Sequence, residues 1–244
     1  MSTPSGNGVG NAVGNVVGLD IGGTKILGVL RGPDGAVRES FRLPTVRGVH
    51  GVVTTAAAVV RALADASGSV PGLLGGVGVG VPGVVDPAVG TVAHGVNLGF
   101  PGAPTPLARL LSTELAGVRV ELENDLNVAA LGAADAAGIG ADLAFLSLGT
   151  GLAAGLILDG RLRRGAFGAA GEIGHLPYRV DGTACPCGQR GCLELYASGA
   201  SLDARWPGAE HARPAARSVH NRACWRAVRT RPKRQVRGPF SPRG

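Results

Sequence analysis

Residues 16–31 read VVGLDIGGTKILGVLR, and this stretch decides the fold. The apolar run VVGLDI ends at Asp20, the turn GGT follows, and KILGVLRG begins a second apolar run. Such a pattern predicts strand, turn, strand. PDG (33–35) then makes a tight turn into a third strand, AVRESFRLPT. Glycines at 22 and 23 let the backbone approach a ligand closely, and exposed amides beside the Thr24 hydroxyl suit a phosphate group. Asp20, at the strand end, is placed to hold a metal ion through water, with Lys25 closing the hexamer. The same hexamer reads equally well as an ordinary hairpin turn.

Working outward, Val49, Val52, Val53, Ala56, Val60 and Leu63 recur at three-to-four spacing and predict an amphipathic helix over 48–67. GGVGVGVPGVV (75–85) is a buried strand running into a glycine-rich turn. A helix around 105–116, the strand VRVEL and a helix over 126–137 come next. Two further strands, DLAFLSLG and LAAGLILD, are joined by the turn TG. Strand pairs interleaved with helices imply an α/β fold in two lobes. The turn chemistry restarts near residue 123, so residues 16–123 form one lobe and 124–202 begin a second. Residues 1–15 are expected to be a flexible leader.

Leu148-Gly149-Thr150-Gly151 is a second Gly-Thr-Gly turn between strands. One such hairpin in each lobe makes the phosphate clamp of an actin-like ATPase fold, the two-lobe elaboration of the ribonuclease H-like sheet. Neither turn has the glycine spacing or strand-to-helix context of a P-loop or dinucleotide fingerprint. Between strand and helix lies Glu123-Asn124-Asp125-Leu126-Asn127. Asn124 or Asp125 can simply cap the helix. In a functional reading, Asp125 is a general base for a hydroxyl attacking a γ-phosphate, while positioning and Mg²⁺ supply most of the rate.

The most cysteine-rich stretch is GEIGHLPYRVDGTACPCGQRGCLE (171–194). His175, Cys185, Cys187 and Cys192 offer an imidazole and three thiolates, a tetrahedral zinc set closed to catalytic water and hence structural. Cys185 and Cys187 are too close for an easy disulfide, and a redox pair would have two intervening residues. Reduced structural cysteines are the alternative. Gly188 and Gly191 permit the tight loop that returns Cys192.

Composition is globular, 45% hydrophobic, with 42 glycines and 4% aromatics among 244 residues. No run of about 18 apolar residues is uninterrupted, so no membrane span is expected. The N-terminus lacks the basic and apolar regions of a secretory signal, making the cytoplasm the expected location. There thiols stay reduced, which favours metal over disulfide. The net charge of +7 is unevenly spread. Residues 1–204 carry 13 basic and 16 acidic side chains, but 205–244 carry 11 basic and one acidic. Pro207, Pro214 and Pro232 break any helical pattern there, so 203–244 is expected to be a disordered basic tail. It can touch nucleic acid through phosphates, but no folded motif supports a specific site.

Taken in order, DIGGTK (20–25), VPGVVD (81–86), VNLG (96–99), ENDLNVAALG (123–132), LGTG (148–151), GEIGH (171–175), CPCGQRGCLE (185–194) and YASG (196–199) resemble the ROK family of sugar kinases. The family includes bacterial glucokinases and N-acetylhexosamine kinases. The resemblance implies transfer of the ATP γ-phosphate to a hexose hydroxyl, with Mg²⁺, in a cleft between lobes. By motif position Asp125 is the implied base, and Asn97, Asn124, Asp125, Glu172, His175 and Glu194 are implied to bind the sugar. Gly22, Gly23, Thr24, Lys25, Gly149, Thr150 and Gly151 are the implied nucleotide contacts, with Asp20 beside them. Zinc is structural in that family, its histidine serving metal and sugar through different ring nitrogens. Relatives are often homodimers.

Two departures from the family pattern stand out. Leu152-Ala153-Ala154 follows the second turn where many members have more glycine. Members also continue well past YASG, through a glycine-rich adenosine site and helices that complete both lobes. The basic tail stands in their place, the signature of a reading-frame shift, which makes a catalytically inactive remnant the alternative to a kinase. A sugar-responsive repressor of the same family would carry a helix-turn-helix that the short leader has no room for.

Overall fold

Val17, Leu19 and Ile21 on one face of β1 (Val16–Ile21) have no exposed surface, and Val16 and Gly18 on the other face are buried as well, as in a central strand covered on both sides. In the computed structural model, which describes residues 14–205, β1 pairs antiparallel with β2 (Lys25–Arg31) and parallel with β4 (Gly76–Val81). β2 continues antiparallel to β3 (Val37–Pro44), and β4 runs parallel to β7 (Val120–Asn124). The sheet order is therefore β3-β2-β1-β4-β7.

Parallel neighbours need crossovers. The first contains α1 (Val49–Ala66), which lays Val52, Val53, Ala56, Val59, Val60 and Leu63 into the core. This helix is long and apolar enough to cross a membrane by length and composition alone, but it serves here as a core helix. Gly28 on β2 lets it lie close: a Cβ there would stand 2.4 Å from Val59 Cγ1 and 2.8 Å from Leu63 Cδ1. Gly28→Ala would overpack this contact at a cost of about 1–3 kcal/mol. The second crossover holds the small hairpin β5 (Val84–Asp86) and β6 (Thr91–Ala93), then α2 (Leu107–Glu114).

After β7, α3 (Asp125–Ala137) leads to a second sheet of β8 (Leu143–Leu148), β9 (Leu152–Leu158) and β10 (Arg161–Arg163). Its antiparallel order β10-β9-β8 repeats that of β3-β2-β1, with a Gly-Thr turn again between the first two strands. One face packs on α3 through Ala130, Ala134 and Ile157. Among the described residues β8 is an edge strand, and Leu146 and Leu148 are 54% and 53% exposed. Short helices α4 (Glu194–Ala197) and α5 (Gly199–Arg205) follow.

The longer expected strands and helices all form. The β5–β6 hairpin and β10 were not anticipated, because three-residue strands carry no readable period. Residues 203–205, assigned from composition to a disordered tail, belong to α5. The rest of that tail, and residues 1–13 of the expected leader, lie outside the described residues.

Candidate active site

Asp20, Gly80 and Glu123 stand side by side in register near the carboxyl ends of β1, β4 and β7. In open α/β sheets that edge is where ligands bind. The DIGGTK turn is tight: the Gly22 N–H donates to the Lys25 carbonyl at 2.9 Å, and the Thr45 hydroxyl donates to the Gly22 carbonyl at 2.6 Å. Thr24 and Lys25 are exposed, and Asp20 is half-buried. Gly23 abuts Asn97 closely: an added Cβ would lie 3.1 Å from the Asn97 Cβ and carbonyl oxygen, a tight contact. Asn97 itself is exposed on the 3-10 turn Val96–Leu98.

β7 passes directly into α3 at Asn124. The Asn124 side-chain oxygen accepts from the Leu126 N–H at 3.0 Å and the Asn127 N–H at 3.3 Å, the pattern of an N-cap. Its amide nitrogen donates to the Gly83 carbonyl at 3.2 Å, tying the VPG turn to the helix start. The other amide N–H of Asn124 has no partner among the described residues. Asp125 occupies the first turn, where the helix dipole favours a negative charge, and its Oδ1 accepts from Leu126 N–H at 3.0 Å. Gly80 brings β4 close behind, a Cβ there lying 3.6 Å from the Asp125 Cα. DIGGTK, Asn97, Asn124 and Asp125 thus line one edge of the first sheet.

The remaining candidates gather around α4. Gly149 closes the second turn by donating to the Gly151 carbonyl at 3.1 Å, and the Ala200 N–H donates to the Gly149 carbonyl at 3.1 Å. Thr150 is exposed at its tip. Gly151 faces Glu194, whose Oε2 would be 2.8 Å from a Cβ at 151. Glu194 Oε1 lies 3.6 Å from His175 Nδ1. Glu172 heads the 3-10 turn Ile173–His175 with its side chain exposed, three residues from His175.

His175, Cys185, Cys187 and Cys192 bring one ligand atom each to within 4.8 Å of all the others. Cys187 Sγ and Cys192 Sγ are 3.6 Å apart, too far for a disulfide. The edge of a tetrahedron with ~2.3 Å Zn–S bonds is about 3.8 Å, so the donor set fits a structural zinc ion. The largest influence on Cys185, a hydrogen bond from the Cys187 backbone, pulls its thiol down. Burial and the side chains of Cys187, Cys192 and Glu194 outweigh it and push the thiol up to about 12. Burial raises Cys192 as well, whereas the Gln189 backbone N–H lowers Cys187.

One polar group escaped the sequence reading. Glu123 is 3% exposed, and its carboxylate is surrounded by donors. Oε1 accepts from Asn124 N–H at 3.0 Å and from Asn127 Nδ2 at 2.9 Å. Oε2 accepts from Arg164 Nε at 2.7 Å and from Arg164 Nη2. Arg164 follows β10 and Glu123 lies on β7, so this pair ties the second sheet to the first. Forty-one residues separate the partners, and no local pattern announces them.

The ROK family model matches residues 16–230. The chain belongs to the ROK family. It is 36% identical over 188 residues to a glucokinase of Streptomyces coelicolor, an alignment covering 75% of this chain and 56% of that one. The xylose repressor of Caldicellulosiruptor bescii is 40% identical over 129 residues, covering 52% of this chain and 32% of the repressor. Among solved structures, the ROK glucokinase of Streptomyces griseus, bound to glucose and AMPPNP, superposes with a TM-score of 0.65 at 37% identity. That superposition covers 78% of this chain and 59% of the glucokinase. The fold is accordingly the actin-like ATPase fold, and the chain spans little more than half the length of these glucokinases.

Proposed function

We propose that this chain is an ATP-dependent hexose kinase, acting on a sugar of the glucose or N-acetylhexosamine type. The observation that carries this reading is the placement of Asp125 in the first turn of α3, beside the strand-end row of Asp20 and Gly80. A carboxylate so placed accepts the proton of a sugar hydroxyl as the oxygen attacks the γ-phosphorus. The turns Gly22–Thr24 and Gly149–Gly151, through the amides that Gly22 and Gly149 do not spend on closing them, would hold the ATP phosphates with Lys25, and Asp20 would hold Mg²⁺ through water. Mg²⁺ supplies charge neutralisation across the transferred phosphoryl group.

Asn97, Asn124, Glu172, His175 and Glu194 would bind the sugar hydroxyls, Asn124 through its remaining amide N–H. His175 turns Nδ1 toward Cys185 at 4.0 Å, leaving Nε2 for the sugar. Structural zinc at His175, Cys185, Cys187 and Cys192 would fix that ring beside Glu194. Each hydroxyl partner adds discrimination, because a sugar lacking that hydroxyl strands a desolvated group.

ADP release by the zinc-loaded chain, measured with glucose, N-acetylglucosamine and N-acetylmannosamine as acceptors, tests the assignment. Turnover that falls by about 10²–10⁴ in Asp125→Asn supports it. No turnover with any of these sugars would sink it. A second reading, a sugar-binding remnant without catalysis, draws on the edge position of β8 and the exposure of Leu146 and Leu148. Calorimetric sugar binding without ADP release is the outcome that selects it.

A further inference from the structure

We propose that Arg164 is a positioning residue for Asp125, acting through the buried carboxylate of Glu123; the inference rests on the reading of Asp125 as the base. Glu123 is the only acidic residue among the described ion pairs whose side chain is almost wholly buried, at 4% exposure. A carboxylate in that setting needs both a counter-charge and a full set of donors. Arg164 supplies the charge and two N–H groups on one oxygen. The other oxygen takes the Asn124 N–H and the Asn127 side chain.

Those last two bonds lie on either side of Asp125. They fix the peptide entering α3 and a side chain in its first turn, while the Asn124 cap fixes the amides between. Asp125 is therefore held by way of the loop after β10, through a carboxylate at the end of the first sheet. That loop is itself folded back, the Ala170 N–H donating to the Arg164 carbonyl at 3.0 Å, and its Gly168 faces β5. Without the guanidinium, Glu123 must move, protonate or admit water, and each response frees the helix start. Reaction rates are steep in such placement, about 10²-fold for a 1 Å error.

The test compares wild type with Arg164→Gln and Arg164→Lys in two assays. In Arg164→Gln, amide hydrogen exchange at Leu126 and Asn127 should accelerate about tenfold or more while β1 and β4 keep their protection. Its kcat should fall about 10–100-fold with hexose KM within about threefold of wild type. Arg164→Lys, retaining the charge, should recover part of both. Unchanged exchange at Leu126 and Asn127, or faster exchange spread evenly over both sheets, overturns the proposal. A kcat loss with no recovery in Arg164→Lys does the same. Should wild type itself lack turnover, the kinase reading fails separately, and exchange alone decides whether Arg164 fixes the helix start.

Discussion

Asn124 is at once a helix cap and a proposed sugar contact, and substitutions can separate the two. Asn124→Ala removes the acceptor for the Leu126 and Asn127 amides and the donor to Gly83. Loss of an N-cap costs about 1 kcal/mol. Loss of a half-buried hydrogen bond costs about another 1 kcal/mol. Asn124→Ala should therefore lose about 2 kcal/mol. At about 2–4 °C per kcal/mol for a domain this size, Tm should fall by about 4–8 °C.

Serine caps as well as asparagine, and the backbone at φ −61°, ψ 141° suits it, but it cannot reach Gly83 as the amide does. Asn124→Ser should restore the cap and lose only about 2–4 °C. Hexose affinity should behave differently. Both variants lack the spare amide N–H, so both should bind hexose about 3- to 10-fold more weakly by calorimetry. A serine variant as unstable as the alanine variant would refute the capping account. Full hexose affinity in both would show that Asn124 is a cap and nothing more.

Gly171 has φ +98°, and a Cβ there would sit 1.9 Å from the Ala154 carbonyl oxygen, so Gly171→Ala must also break the 2.7 Å bond from the Ala154 N–H to Gly171. The expected loss is about 2–4 kcal/mol, a Tm drop of about 5–15 °C by scanning fluorimetry, and an unchanged Tm would count against the geometry. Zinc affinity should fall steeply with acid. The raised thiols of Cys185 and Cys192 are protonated at neutral pH in the metal-free protein and must release their protons to bind the ion. At least these two protons are released, which implies at least about 100-fold weaker binding per pH unit lowered, and an affinity equal at pH 6.5 and 7.5 in a chelator competition would refute it.

Local chemistry made most of the molecule legible. DIGGTK and LGTG each declared a hairpin because glycine and threonine sit between apolar runs, and both turns form as expected. His175 and the three cysteines were readable because a metal site needs rare side chains at short spacing, and the fold brings them together. The alternatives raised for Asn124 turn on a contact no local pattern contains, since Gly83 lies on another strand-end turn. Arg164 was silent for the same reason. An arginine after a short strand is ordinary until the fold places a buried carboxylate against it.

The two larger sheets are held by different forces, which bears on how the site works. Among the described residues, the largest fully buried side chains, Leu19, Ile21 and Leu63 among them, all precede β7 and pack on or beside the first sheet. Burying each such side chain contributes about 1.5–3 kcal/mol, and β1 and β4 at the centre of the sheet inherit that stability. Between α3 and the second sheet the fully buried set is Ala130 and Ala134 of the helix and Ile157 of β9, with Leu131, Leu143, Phe145 and Leu162 only partly buried around it, and alanine contributes little apolar area. That sheet leans instead on directional ties: the Glu123–Arg164 pair, the Asn124 cap, and the Cys/His cluster if it holds zinc. Metal bound there would be folding free energy for the loop that carries His175 and Glu194. Such ties are lost singly rather than by gradual loosening, so β8–β10 should open and close while β1–β4 stays protected. Each lost tie would release a group assigned to the sugar or to Asp125. Sugar affinity and the order of β8–β10 should therefore vary together when any one tie is weakened, even by a substitution that never touches the ligand.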